Sequence, residues 1–599
     1  MSSGDESDNS GSDLSSSSEY SFQDDDVLEE LFDSDEEEED FAGFNFDLPE
    51  NMKWENQRFD VDMQPFTLTP GPTINLPDTG KAFDFFSLFF TEEIIGKIVE
   101  FTNKNAQKKE VPNWQPVTSE ELKAFIAMLI ISNDIIVVPR DERYFLSSAE
   151  ARLFHIPGVK NILRSRKRFF QLKSYIFFCD PDHEQTEEEK QDPLYKVRGI
   201  YHDIVQKFKE IFNCSREISI DEAMVPFKGR LAIKVRMPDK PIKFGVKFFQ
   251  LCDSKTGYCK NFSIYAGKDD REAGNIGKTG KIVMDLVADL HNTNHHLYVD
   301  NFYTSPILFL LLRTRGILAA GTARPRKGYP HEQLKRAVLR KRGEVAWLTA
   351  KEQGMTALRW KDKKDVYFLT TIHSPPVVPD WVEDDNSGAE SEEVRNESDV
   401  VCRRVKQRGR WVTKKIYRPG IVKSYNNFMG GVDLSDQMTA VNKSKKQKRW
   451  YLRIFLKMVL LSIYNAYILE GFKRPETPRG RRKRDLLSFK EDLCVQLVGN
   501  FPQQHKSTAS NKRKRSADTP VPERLSNVGI HFPFKGEGKN HRCVVCERKH
   551  FSSKKANPDN PSPRHKTTFK CSQCNVYLCI GEGGSNCFYD YHTKENFAS

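Results

Sequence analysis

The sequence predicts an α/β fold, and three observations carry that prediction. Between residues 218 and 322 the apolar pattern reads strand, strand, strand, helix, strand, helix, strand. Two of those strands end on an acid, Asp221 and Asp300. Further on, Asp433 and Asp436 follow Gly430 and Gly431 at the head of a helical pattern, so that acids three residues apart share one helix face.

Taken in order, residues 1 to about 50 are Ser, Asp and Glu with few apolar groups, a composition that cannot offset the entropy of ordering and predicts a disordered tail. Ser10, Ser12 and Ser34 sit among its acids as targets for an acid-directed kinase. Helical spacing begins with Phe83, Phe85, Phe86, Leu88, Phe89 and Phe90 and runs on through Ile94, Ile95, Ile98 and Val99. A second helix opens at Thr118, where Thr118 and Glu121 have the spacing of a capping box. A third segment, 163–178, interleaves Arg164, Arg166, Lys167, Arg168 and Lys173 with Phe169, Phe170, Leu172 and Tyr175. That pattern serves either a phosphate-gripping helix or an ordinary amphipathic helix with a cationic outside.

In the β-rich block, residues 218–221 alternate and stop on a carboxylate, and 243–252 and 258–266 read as neighbouring strands around a turn at 254–257. A helix over 281–291, a strand at 296–299, a helix at 306–314 and a strand at 317–322 follow. With the first and fourth strands adjacent, Asp221 and Asp300 meet at one end of the sheet, and the helix bearing Asp433 and Asp436 completes a cluster. The Gly430-Gly431 step supplies backbone freedom for a sharp entry into that helix. A lone Asp after a strand is ordinarily a turn residue. Several gathered by one sheet order suit a hard cation such as Mg²⁺, which takes carboxylate oxygens.

The net charge of +10 hides a division: the first fifty residues hold 19 Asp or Glu and no Lys or Arg, so the rest of the chain carries +29. A basic body with an acidic tail points to a polyanion, nucleic acid first. The acidic, Ser-rich start has no signal-peptide pattern. The most apolar stretch, 458–469, is interrupted by Ser462 and Asn465 and predicts a buried core helix, not a membrane span. Six of the twelve cysteines fall between Cys543 and Cys587 and the others lack disulfide-like spacing, which predicts a reduced intracellular protein with a metal module at its end. Cys543, Cys546, Cys571, Cys574, Cys579, Cys587 and His592 supply seven soft ligands, two CxxC pairs among them. Two structural Zn²⁺ sites need eight. His550 is the first candidate for the eighth, with His565, His541 and Asp590 behind it.

The motifs SIDEAMVPFKGR (219–230), KPIKFGVKFFQLCDSKTGY, LYVDNFYTS (297–305), GTARPRK, YNNFMGGVDLSDQM and the Cys-rich tail together resemble the piggyBac transposases and their transposase-derived relatives, with matches from about Phe83 to His592. The resemblance implies a ribonuclease-H-like catalytic core (217–325 and 419–442) interrupted by an inserted β-rich domain (326–418). It implies a flanking helical DNA-binding and dimerisation region (81–216 and 443–500), an acidic tail and linker (1–80), a basic linker (501–540) and a cross-braced zinc finger (541–599). By motif position Asp221, Asp300 and Asp433 become the ligands of two Mg²⁺ or Mn²⁺ ions, with Asp436 a fourth catalytic acid. The implied activity is cut-and-paste cleavage and strand transfer on double-stranded DNA at TTAA targets, by a homodimer with no membrane. The competing reading is a transposase-derived DNA-binding or chromatin protein that keeps its acids without using them.

Within the insertion, 345–348, 366–372 and 410–416 are strand-like, around an acidic run at 383–399. Arg403, Arg404, Lys406, Arg408, Arg410, Lys414 and Lys415 either touch DNA or form a solvated strand face. The candidate DNA contacts elsewhere are Arg164, Arg166, Lys167, Arg168, Lys228, Arg230, Lys445, Lys446, Lys448 and Arg449. Lys512, Arg513, Lys514 and Arg515, in a polar linker, form the nuclear-import candidate, against the reading of a solvated charge run, and the expected location is the nucleus.

Overall fold

The computed structural model describes residues 46–49, 52–147, 156, 158–163, 165–238, 240, 242–267, 274–378, 400–407, 410–442, 447–474, 484–499, 501, 525, 531–536, 540–581, 586–594 and 596–597. The chain forms two units, Met1–Ser507 and Thr508–Ser599.

In the first unit, the long apolar pattern after Phe83 folds as two helices, α1 (Ala82–Phe86) and α2 (Glu92–Lys108). Thr91 separates them because its hydroxyl caps α2, accepting from the Ile94 amide. Thr118 caps α3 (Ser119–Ile130) in the same way, accepting from the Glu121 amide at 3.2 Å. Glu121 does not return the bond to the cap. Its carboxylate is fully buried and is forked by Arg168 of α4 (Arg166–Tyr175), at 2.8 Å and 2.5 Å. The following α5 (Tyr195–Ile211) turns Ile200, Ile204 and Phe208 inward.

Beyond α5 lies one nine-stranded sheet. Its strands are β1 (Glu217–Pro226), β2 (Lys234–Arg236), β3 (Phe244–Asp253), β4 (Cys259–Ile264), β5 (His296–Val299), β6 (Leu318–Thr322), β7 (Val345–Ala350), β8 (Met355–Lys361) and β9 (Asp365–Thr370). The order is β2-β3-β1-β5-β6-β9-β8-β7, with β4 also on β3. The pairs of β5 with β1 and with β6 are parallel, joined through α6 (Gly277–Leu286) and α7 (Pro306–Thr314). The expected adjacency of the first and fourth strands is therefore present.

Two expectations are corrected. The strand at 218–221 does not stop at Asp221 but continues to Pro226, because Ala223, Met224 and Val225 keep burying apolar surface. Within the span 326–418 read as the inserted β-rich domain, strands β7, β8 and β9 are not set apart from the core but extend the main sheet: β9 pairs with β6 at Leu369 and Gly321. Among the described residues of 326–418, the hairpin β10 (Val400–Gln407) and β11 (Arg410–Tyr417) forms a two-stranded sheet of its own, and its base at Val401 and Ile416 packs with Tyr298 and Tyr425. The acidic run 383–399 falls outside the described residues.

After the hairpin come α8 (Gly420–Phe428), α9 (Gly431–Met438), α10 (Trp450–Lys473) and α11 (Leu486–Val498). The expected core helix at 458–469 is the middle of α10, whose 24 residues are long and apolar enough to cross a membrane by length and composition. Of its apolar window 94% is buried within the protein, where Phe455 stacks on Phe178 at 4.5 Å.

The second unit pairs β12 (Pro533–Lys535) with β15 (Phe569–Cys571) and β13 (His541–Arg542) with β14 (Lys566–Thr567), beside α12 (Val544–Ala556) and α13 (Cys587–Thr593). Among the described residues, and apart from its cysteines, its buried apolar residues are Val545, Leu578 and Phe597. A core this small needs another source of stability.

Candidate catalytic and metal centres

The parallel register of β1 and β5 ends at the pair Ile220 and Val299, so Asp221 and Asp300 are the next residue on each strand. One oxygen of each, together with one from Glu222, lies within 4.8 Å of the others. Asp221 is turned back onto its own strand, its Oδ1 accepting from the Glu222 amide at 2.7 Å. The loop after β5 is pinned in turn, the Asp300 Oδ1 accepting from the Phe302 amide at 3.0 Å. Glu222 is held from the far side: its Oε1 accepts from the Tyr303 hydroxyl at 3.0 Å, and the Lys247 ammonium stands 3.4 Å away.

Burial raises both aspartates, and their neighbours raise them further. Asp221 is pushed up to about 8 by burial, then by the charge of Glu222, with Lys240 opposing. Asp300 rises to about 6 for the same two leading reasons. Carboxylates this close and this dry resist ionising together, and an oxygen-loving dication between them relieves the repulsion. The donor set fits a hard cation.

Asp433 stands on α9 as expected, exposed. It is outside the 4.8 Å group; the Tyr425 phenol is pushed up to about 12 by burial, and the charges of Asp300, Asp221 and Asp433 add to that rise. Asp436 is not brought to the cluster. Its Oδ1 takes a 2.8 Å ion pair from Lys457, a residue of α10 whose side chain is 1% exposed. The glycine step before Asp433 serves close approach and not unusual torsion. Gly430 has an ordinary φ of −75°, whereas a Cβ on Gly431 would come 2.6 Å from the Ser219 hydroxyl and 2.9 Å from the Asp253 carbonyl.

Among the expected DNA contacts, Arg166, Lys167, Lys228, Arg230 and Lys448 are exposed. Arg449 is half-buried, its guanidinium donating to the Tyr451 hydroxyl at 2.6 Å. Arg168 is a correction: it is 5% exposed, bound to Glu121 and to the Gln115 carbonyl, and lies 4.7 Å from the Trp114 ring. Phosphates cannot reach it. Arg164, Lys445, Lys446 and residues 512–515 fall outside the described residues.

In the second unit the seven expected soft ligands divide into two groups. Cys543, Cys546, Cys579 and Cys587 form one, and Cys571, Cys574 and His592 form the other with His531. Along the chain the groups interleave, so each ties together distant segments. His531 stands 3.2 Å from the Cys574 sulfur, and His592 Nε2 3.5 Å from it. His592 Nδ1 donates to the Phe588 carbonyl at 2.8 Å, which leaves Nε2 to a metal. Crowding of thiols favours one thiolate, Cys543, lowered to about 5 chiefly by its bond from Cys587.

His550, the expected eighth ligand, is in neither group; its Nδ1 donates to the Ser562 carbonyl at 2.7 Å, away from both sets of sulfurs. His531 lies in the stretch assigned to the basic linker, and with β12 it belongs to the module's fold, so a boundary at 541 cuts through it. Two functional candidates, Glu222 and His531, thus went unread in the sequence. The signals present were the consecutive acids of β1 and a histidine beside Phe-Pro-Phe in an otherwise polar linker.

Comparison with known proteins places this geometry. The family model described as Transposase IS4 matches residues 81–467. The human PiggyBac transposable element-derived protein 3 is 26% identical over 557 residues, spanning 90% of this chain and 81% of that protein. The human PiggyBac transposable element-derived protein 2 is 26% identical over 475 residues, 77% of this chain and 71% of its own. Among solved structures, a piggyBac transposase synaptic complex with hairpin DNA superposes with a TM-score of 0.59 at 22% identity, over 86% of this chain and 98% of that one, a likeness of fold.

Proposed function

This chain belongs to the piggyBac transposase family, within Transposase IS4, and on that premise we propose that it is a DNA transposase that cuts and rejoins strands at the ends of a mobile element. The observation that supports this reading most is the meeting of Asp221 and Asp300 at the ends of adjacent parallel strands. In this reading the sheet is a ribonuclease-H-like core, and Asp221, Asp300 and Asp433 hold Mg²⁺ or Mn²⁺. Such ions activate an attacking hydroxyl and steady the leaving oxygen of a phosphodiester.

The protein's own groups do the rest. Asp221 and Asp300 would hold the cation through their carboxylate oxygens, which the backbone bonds from the Glu222 and Phe302 amides fix in place. The exposed Lys228 and Arg230 follow β1 and bear phosphate contacts that position the strand. The helical parts, 81–216 and 443–500, bind transposon ends and pair two protomers, TTAA is the target, and residues 512–515 direct the chain to the nucleus. The two Cys/His groups hold structural Zn²⁺, which supplies the stability that the small second core lacks.

A second reading follows from the relatives, which are named as transposable element-derived proteins: a DNA-binding protein without strand chemistry. Incubation with Mn²⁺ and duplexes carrying the inverted repeats that flank the coding sequence separates the two. Strand cleavage that Asp300→Ala removes supports the transposase; tight binding of those repeats with no cleavage at any Mn²⁺ concentration supports the second reading.

A further inference from the structure

We propose that Glu222 is a third carboxylate ligand of the cation held by Asp221 and Asp300, set in place by the buried Tyr303 hydroxyl. The inference rests on the catalytic reading above and adds a residue to it. Neighbouring residues on a strand point to opposite faces, so Glu222 ought to be directed away from Asp221. In most of a sheet the next strand would separate them.

Here the wall is missing. β5 ends at Val299, opposite Ile220, while β1 runs on to Pro226, so from Asp221 onward one side of β1 has no β5 partner. Asp300 lies at that opening. Asp221 shares the face of Ser219, against which Gly431 of α9 packs, and Glu222 belongs to the face of Ile220. Both carboxylates nevertheless bring an oxygen within 4.8 Å of Asp300 and of each other.

Glu222 is not left to drift there. Its side chain is 7% exposed. Tyr303, fully buried and three residues beyond Asp300, donates its hydroxyl to Oε1 at 3.0 Å. Lys247 lies diagonally across the pair Glu222 and Phe249, at 3.4 Å from the same oxygen. With two donors gathered on Oε1, Oε2 is the oxygen to offer an ion. A carboxylate kept only for structure would have its charge balanced by Lys247 alone, with no need to join two further acids.

The test is Mn²⁺ binding to the zinc-loaded full chain without DNA, read from the loss of the free-ion electron paramagnetic resonance signal. Glu222→Gln keeps the shape and removes the charge, and its Mn²⁺ Kd is expected to rise about tenfold or more. Tyr303→Phe keeps the buried ring and is expected to raise Kd several-fold, the arm that decides if Glu222→Gln does not fold. Glu222→Gln or Tyr303→Phe titrating as wild type, while Asp300→Asn loses Mn²⁺, overturns the assignment of Glu222 and leaves the catalytic reading intact. Asp300→Asn titrating as wild type overturns both. A lowered Tm with unchanged Mn²⁺ affinity assigns Glu222 a packing role and also sinks the proposal.

Discussion

Asp221 and Asp300 are each the first residue beyond the last parallel pair, Ile220 and Val299, of two adjacent strands. Residues widely separated in sequence thereby become neighbours without either strand bending. The first prediction follows. Asp300→Ala removes a ligand oxygen but no apolar packing, so strand cleavage should fall on the order of 10³-fold. DNA affinity, carried by cations elsewhere, should change less than about threefold. A gel-shift titration beside a cleavage time course checks both; undiminished cleavage would refute the site.

The same two acids give a pH test. A carboxyl whose folded pKa is raised favours the fold while protonated, so its contribution is complete below the unfolded value near 3.8 and is lost as pH rises through the folded value. Asp300 loses it between about 4 and 6, and Asp221 up to about 8. Three histidines act in reverse. His295, His296 and His373 are lowered to about 4, 3 and 4 by burial, so they cost stability as pH falls below 6.5. The two trends cancel in part below pH 6.5, and above it, of these five groups, Asp221 alone still titrates. Metal-free protein should therefore lose Tm from pH 6.5 to 8, and Mg²⁺ should restore more at pH 8 than at pH 5. Calorimetry across that window measures it, and an equal Mg²⁺ effect at both pH values would contradict the raised Asp221.

Arg168 and its neighbours on α4 separate structural from DNA-binding cations. Arg168→Ala strands the buried Glu121 charge and should cost about 3–5 kcal/mol. The exposed pair Arg166→Ala/Lys167→Ala should leave Tm within about 1 °C. It should also lower the slope of log affinity against log salt by about 0.9 for each phosphate no longer neutralised. Denaturation curves and salt-dependent binding distinguish the two outcomes.

Much of this was legible in the sequence, and the failures have physical causes. Strand β5 and helix α7 have the expected bounds because uninterrupted apolar runs meet firm stops, Asp300 after one and Ser305 with Pro306 before the other. Arg168 was illegible because its partner Glu121 has the spacing of a capping box, and a local pattern gives no notice of a distant buried charge. Glu222 was hidden by alternation, which sends it to the face opposite Asp221 and gives no notice that β5 ends at Val299 and leaves that side of β1 open. Gly431 read as flexibility, since a sequence shows an absent side chain but not the Ser219 hydroxyl waiting in its place. The role of strands β7 to β9 was missed because the one pairing that joins them to the sheet, β9 antiparallel to β6, is a long-range choice.

The zinc module supplies the last prediction. His531 and His550 are both histidines near the same cysteines, yet only His531 is within reach of Cys571 and Cys574, at 3.4 and 3.2 Å. His550 is tied to the Ser562 carbonyl. In a residue 525–599 fragment, His531→Ala should release about one of two Zn²⁺ ions and lower Tm by many degrees, because the site it opens ties β15 to α13. His550→Ala should retain both ions and lose at most about 1.5 kcal/mol. A fragment starting at 541 lacks the ligand altogether and should bind a single Zn²⁺ tightly. Zinc content by mass spectrometry under native conditions reads all three; two ions held tightly by the shorter fragment would refute His531 as a required ligand.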